Sequence, residues 1–116
     1  RWDKVYLSYL ETGKNDAEMT IYGGVEVPWG TLRSAVNMSL KQIQGISEDK
    51  FIGPYMIPRR RLKDANAMYE DLWGYLWNDV LKNRASSYFS GVSTFAELGQ
   101  IWQGGAGKPI GEVVFP

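Results

Sequence analysis

Apolar residues recur in pairs every four positions along the middle of the chain. The pairs run from Met68 and Tyr69 to Val80 and Leu81, and charged and amide side chains occupy the opposite face. A four-residue step keeps such pairs on one side of an α-helix and gives that side a wide apolar stripe. The pattern therefore predicts a long helix over 62–81 whose stripe, including its tryptophans, lies in the core rather than serving as a stacking platform for bases.

Two further segments have helical spacing. Apolar residues at three- and four-residue steps predict a helix over 29–44, with Pro28 at its entrance and Gly45 as a left-handed C-terminal cap. Farther along, the spacing from Thr94 to Glu97 fits a capping box, and the apolar residues after it predict a short helix.

Extended structure is predicted on either side of these helices. Residues 2–10 alternate in polarity and predict a strand, 11–16 reads as a polar surface loop, and 19–27 alternates around a Gly-Gly pair as a short strand or hairpin. A final strand is expected at 112–115. The predicted fold class is α+β and mostly helical, with one or two strands ahead of a small helical domain.

The segment 46–58 combines turn-forming and apolar residues. Its two prolines exclude a long helix. Its apolar density demands burial all the same, and the residues responsible are Phe51, Ile52, Tyr55, Met56 and Ile57. We expect a packed loop beside a short extended piece.

Composition excludes several classes of function. The 116 residues include neither cysteine nor histidine, which excludes thiol nucleophiles, histidine-ligated metal sites and triad hydrolases. Thirteen basic and thirteen acidic residues leave a net charge of zero, so no overall field draws the chain to nucleic acid or to a membrane. The lack of cysteine fits a reducing compartment, and we expect a cytoplasmic location.

Two charged clusters remain as candidate sites. Glu48 and Asp49 are adjacent carboxylates beside Lys50, and a cap with an ion pair is favoured over a carboxylate-based hydrolase because neighbours in sequence point apart. The range 59–63 holds three arginines and a lysine. A solvated segment is favoured there, and contact with phosphate, nucleic acid or an acidic partner stays open, including a stand-alone nucleic-acid or protein-binding module.

Four stretches of sequence together resemble a known family. They are Arg-Trp-Asp at 1–3, Pro-Trp-x-x-Leu-Arg-x-Ala-Val-Asn at 28–37, Ile-Ser-Glu-Asp-Lys-Phe-Ile-Gly-Pro-Tyr-Met-Ile at 46–57, and Tyr-Leu-Trp-Asn-Asp-Val-Leu-Lys at 75–82. In this order they resemble the C-terminal part of the AAA+ NTPase module in McrB-like proteins. Such proteins are the GTP-dependent motor subunits of modification-dependent (type IV) restriction systems. Met56 departs from the family's more usual phenylalanine.

The resemblance implies a division of the chain. Residues 1–28 would end the AAA+ core as a strand and a hairpin-like connection, and 29–116 would form the helical lid. The family's P-loop and acidic metal-binding motif precede this region and are missing from the sequence. The chain alone would then lack catalytic residues, metal ligands and a cofactor, whereas its parent protein would hydrolyse GTP or ATP with Mg²⁺. The lack of an initiator methionine fits a fragment of a longer protein.

The resemblance also assigns two sets of contacts. Those to the nucleotide and between domains would come from Glu48, Asp49, Lys50, Gly53 and Pro54. Those to another subunit or to phosphate would come from Arg1, Arg59, Arg60 and Arg61. The implied partners are the upstream AAA+ core, neighbouring protomers in a ring and a nuclease subunit. DNA would be reached indirectly, and no membrane is involved.

Overall fold

The computed structural model describes residues 14–104. A two-stranded antiparallel hairpin precedes a set of helices, so the α+β, mostly helical class is confirmed. The principal elements are β1 (Met19–Tyr22), β2 (Val25–Pro28), α1 (Trp29–Lys41), the continuous helical segment α2 (65–81), α3 (Ala85–Tyr88) and α4 (Phe95–Trp102). Single 3₁₀ turns lie at Lys14–Ala17, Glu48–Lys50, Arg59–Arg61 and Lys82–Arg84. The strands predicted at 2–10 and 112–115, and Arg1, lie outside the described residues.

The hairpin forms where the sequence predicts it. Tyr22 pairs with Val25, which leaves Gly23 and Gly24 as a two-residue loop with φ of +60° and +81°. Two successive positive φ angles are what a type I′ turn requires, and glycine adopts them without steric cost.

Helix α1 begins directly after β2, because Pro28 both ends the strand and precedes the first helical turn. It ends at Lys41, so the prediction of residue 44 is wrong. The amides of Gln42 and Ile43 bond to carbonyls three residues back, at 3.2 and 3.0 Å, and the helix tightens into turns there. Gly45 is left-handed as predicted, with φ of +92°, but it lies in the following loop and does not cap the helix.

Helix α2 begins at Ala65, so the prediction of a start at Leu62 is wrong. Asp64 is its N-cap, with a side chain that accepts from the amides of Asn66 and Ala67 at 3.0 and 3.1 Å. Leu62 is buried for another reason. Its carbonyl accepts the amide of Ile21 at 3.3 Å, which ties this stretch of chain to the hairpin instead of to the helix.

Much of α2 has wide, π-type turns, over Tyr69–Trp73 and Leu76–Leu81. The helix ends where Lys82 takes a positive φ of +51°. No helix within residues 14–104 is long and apolar enough to cross a membrane.

A single hydrophobic core joins the helices to the hairpin. Trp73 contacts Trp102 and Phe89 edge-on, with ring centroids 5.6 and 6.1 Å apart. From β1, Tyr22 reaches the rings of Trp73 and Trp102 at 6.5 and 6.1 Å. The predicted stripe of α2 is confirmed as part of the core, with Trp73 fully buried and Tyr69 and Trp77 partly buried against it. The domain boundary at residue 28 stays a prediction.

Candidate functional site

The stretch 52–57 forms a tight turn on the surface of α1. The amide of Met56 bonds to the carbonyl of Gly53 at 3.3 Å, which closes a β-turn with Pro54 at its second position. Ile52 and Ile57, on either side, are buried, but Tyr55 is 61% exposed. The prediction of a packed loop is thus confirmed for its flanks, and burial of Tyr55 is wrong because that residue occupies the outer corner of the turn.

Three side chains of α1 hold this turn. Trp29, Arg33 and Asn37 are four residues apart and therefore lie on one face of the helix. The Trp29 indole donates to the carbonyl of Pro54 at 2.9 Å, and the Arg33 guanidinium donates to that of Ile52 at 3.0 Å. Asn37 both donates to and accepts from the backbone of Ile52, at 3.0 and 2.8 Å.

A buried ion pair supports the same contact from behind. Asp16 is fully buried, and its carboxylate accepts two hydrogen bonds from Arg33 at 2.8 and 2.6 Å in a bidentate arrangement. The neighbouring Asn15 amide donates to the carbonyls of Pro54 and Ile57. The prediction of a polar surface loop over 11–16 is therefore wrong for these two residues, because their partners lie in the interior. The signal that could have identified Asp16 is Arg33, because an arginine within an apolar helix stripe needs a carboxylate partner when it is buried.

The close fit of α1 against the 14–17 turn depends on a glycine. A Cβ at Gly30 would lie 2.7 Å from the carbonyl oxygen of Asp16, closer than real atoms approach. The amide of Trp29 also bonds to the carbonyl of Glu18 at 2.7 Å. The ion pair, the 14–17 turn and the hairpin therefore all contact the N-terminal part of α1.

The acidic turn ahead of this site is exposed. Glu48, Asp49 and Lys50 all face solvent in a single 3₁₀ turn, and Asp49 accepts a hydrogen bond from the hydroxyl of Ser47. The Tyr75 hydroxyl donates to the carbonyl of Lys50 at 3.0 Å and ties the turn to α2. Burial raises the pKa of Tyr75, and the charges of Asp79 and Asp49 raise it further. Within residues 14–104, no group of three or more acidic side chains could hold a metal ion.

The three arginines of 59–61 lie in different surroundings. Arg61 forms a hydrogen-bonded ion pair with Asp71 of α2 at 2.6 Å and lies 3.7 Å from Glu70. The hydrogen bond to Asp71 and its charge raise the pKa of Arg61. Arg59 and Arg60 instead line a shallow groove of about 600 Å³ together with Glu18, Met19 and Lys63.

The described residues among those implied by the resemblance thus lie in three places. Glu48, Asp49, Lys50 and Gly53 are exposed on either side of the buried Ile52, and half-buried Pro54 continues them into the held turn. Arg59 and Arg60 lie at the groove, and Arg61 pairs with α2. Their contact roles stay predictions. The sequence interpretation missed Asn15 and Asp16, whose buried side chains support the turn from the interior.

Among curated proteins, the chain is similar to a component of a type II restriction enzyme. That protein is YdiS, of the enzyme BsuMI from Bacillus subtilis (strain 168), which is 32% identical over 78 residues. The match covers 67% of this chain but only 22% of YdiS, so the chain spans under a quarter of the relative's length. No family profile and no solved structure matches the chain.

Proposed function

We propose that residues 29–116 form the lid, and 1–28 the end of the core, of an AAA+ NTPase subunit, similar to McrB, in a DNA restriction system. The lid would close over GTP or ATP held with Mg²⁺ by the upstream core of the same protein. It would also contact neighbouring protomers of a ring that acts with a nuclease subunit. Both the motifs at 28–37 and 46–57 and the similarity to YdiS, itself a restriction enzyme component, support this role.

The strongest support is the way those two motifs interlock. The first supplies the side chains of Trp29, Arg33 and Asn37, and the second supplies the backbone of Ile52 and Pro54 that they bind. The two patterns therefore form one structural unit. If either motif resembled the family only by chance, there would be no reason for the two motifs to bind each other.

The held turn also presents a glycine that folding does not explain. Gly53 does not have a left-handed φ, and a Cβ there would meet no atom within 4 Å. A bare backbone at an exposed, fixed turn allows another surface to approach closely. In the proposed lid, that surface is the upstream core with its nucleotide, and Glu48, Asp49 and Lys50 would contribute to the same contact.

The gene itself provides the decisive test. We expect the reading frame upstream of Arg1 to encode a P-loop about 150–250 residues earlier, roughly one domain away. A reading frame that starts close to Arg1 without such a segment would overturn the lid assignment. The 116-residue chain alone is expected to hydrolyse neither GTP nor ATP, and turnover by the pure chain would also refute it.

A pair of glycine variants tests the role of the turn. Gly53→Ala is expected to leave the free energy of unfolding of the 116-residue chain within about 0.5 kcal/mol of wild type. In the longer gene product, it is expected to lower NTP turnover about tenfold, because misplacing a closing surface weakens alignment at the nucleotide.

The contrasting variant is Gly30→Ala, which is expected to destabilise the chain by about 1–3 kcal/mol, since its methyl group would overlap the carbonyl of Asp16. Urea denaturation measures both variants, and a steady-state phosphate-release assay measures turnover. Unchanged turnover in Gly53→Ala would show that the 52–57 turn does not contact the upstream core.

A further inference from the structure

We infer that the groove beside the hairpin binds the phosphate backbone of duplex DNA. Its five lining residues are Glu18, Met19, Arg59, Arg60 and Lys63, so three cations face one carboxylate. Direct contact with DNA goes beyond the lid role, in which DNA is reached only indirectly. The proposed function enters only in the choice of DNA among phosphate-bearing ligands.

The cations of the groove retain donors for a phosphate. The Arg59 side chain is 65% exposed and uses one terminal nitrogen, 2.8 Å from Glu18. The Lys63 ammonium lies 3.9 Å from Glu26, at the limit of an ion pair, and is 60% exposed. Arg60 is exposed and forms no ion pair with any residue of 14–104. A guanidinium carries five N–H donors, so Arg59 keeps donors for a phosphate besides the nitrogen that faces Glu18.

Arg61 differs from its neighbours although the sequence presents three arginines in a row. Its guanidinium is held by Asp71 at 2.6 Å, and it does not line the groove. The run therefore divides into a residue that ties the 59–61 turn to α2 and two residues that face the groove.

The shape of the groove favours a phosphate backbone over a free nucleotide. Sites for small ligands enclose most of the ligand surface, and bases are held by stacking on aromatic rings. This groove is open to solvent, and none of its five lining residues is aromatic. An open, cationic surface of this kind contacts phosphates irrespective of sequence.

Fluorescence anisotropy with a labelled duplex of about 20 base pairs tests the inference, with the 116-residue chain over about 50–200 mM salt. Three phosphate contacts predict a slope of log K against log salt of about −2.7. Arg60→Ala and Lys63→Ala are each expected to reduce that slope by about 1 and to weaken binding several-fold at low salt. Lys41→Ala is the control, because it removes an exposed cation of α1 that does not line the groove, and it should leave the slope unchanged.

A variant expected to gain affinity complements these losses. Glu18→Gln removes the carboxylate that pairs with Arg59 and would compete with a phosphate, so it should tighten DNA binding several-fold at low salt. Circular dichroism establishes that each variant is folded.

Absence of salt-dependent binding by the wild-type chain would overturn the inference, and so would equal losses in Lys63→Ala and Lys41→Ala. If Mg-GTP, Mg-ATP or inorganic phosphate displaced the DNA at a concentration equal to that of the duplex, the groove would be a site for small anions, and the inference would also be overturned. The proposed lid role is judged separately, by the upstream P-loop and by NTP turnover.

Discussion

At the residue scale, loss of one partner of the buried pair Asp16 and Arg33 is expected to be strongly destabilising. Removing one partner of a buried pair leaves an uncompensated charge, which costs about 3–5 kcal/mol. We therefore expect Arg33→Ala to lower the free energy of unfolding by about that amount and to remove one of the two hydrogen bonds that the carbonyl of Ile52 accepts. Urea denaturation followed by tryptophan fluorescence measures the loss.

Arg59→Ala is the matched control for that variant. Arg59 also pairs with a carboxylate, at 2.8 Å, but its side chain is 65% exposed. Exposed pairs contribute about 0–1 kcal/mol, so this variant should remain close to wild type. Equal losses in Arg33→Ala and Arg59→Ala would contradict the central role of the buried pair.

The contacts of Arg33 show which features of this site a sequence can predict and which it cannot. The four-residue spacing of Trp29, Arg33 and Asn37 places them on one face in any helix. Their partners are mainly backbone carbonyls, and every residue has one, so no pattern identifies them. Asp16 resembled a surface residue because a polar loop and a buried, paired carboxylate have the same composition.

At the scale of elements, two helix starts rest on capping side chains. Thr94 accepts the amide of Glu97 at 3.1 Å, so the predicted N-cap is confirmed. Asp64 caps α2 in the same way. The Glu97 carboxylate accepts the amide of Ser93 at 2.7 Å, one residue before the amide that a capping box uses. Thr94→Ala and Asp64→Ala are each expected to cost about 1 kcal/mol of stability in urea denaturation.

Asp64→Asn is the control for the second cap, because an asparagine oxygen accepts the same amide hydrogen bonds. It should retain most of the stability that Asp64→Ala loses. If Asp64→Asn and Asp64→Ala were equally destabilised, the negative charge at the helix N-terminus, rather than the hydrogen bonds, would be the stabilising feature.

The errors in helix bounds share a physical cause. The apolar pattern of α2 continues back to Leu62. Its side chain is buried, and its carbonyl accepts the amide of Ile21 in the hairpin. Periodicity reports burial, and burial does not distinguish a helical residue from a neighbouring turn packed on the same core. The short helix α3 (Ala85–Tyr88) was not predicted, since four residues are too few to show a period.

At the scale of the whole molecule, one core is shared by elements from both ends of the described chain. Four tyrosines on the hairpin, α2 and α3 pack at its edges, and burial is the main cause that raises the pKa of each: Tyr22, Tyr69, Tyr75 and Tyr88. The fold class was predictable because it needs only the order and type of elements. The joining of hairpin and helices was not, since it depends on contacts such as Tyr22 with Trp102 that no local pattern specifies.

The raised tyrosine pKa values predict how stability depends on alkaline pH. Each phenol loses its proton near pH 10 in the unfolded chain. In the folded chain it keeps the proton to higher pH, so the folded state binds more protons above about pH 10. The stabilisation is complete below that pH and is lost as pH rises through and beyond it. We expect the part of the tyrosinate absorbance that comes from these four of the seven tyrosines to rise together with the loss of near-ultraviolet circular dichroism, because their ionisation requires the four side chains to lose their burial. If all tyrosines ionised near pH 10 with the circular dichroism unchanged, hairpin, α2 and α3 could not share one closed core.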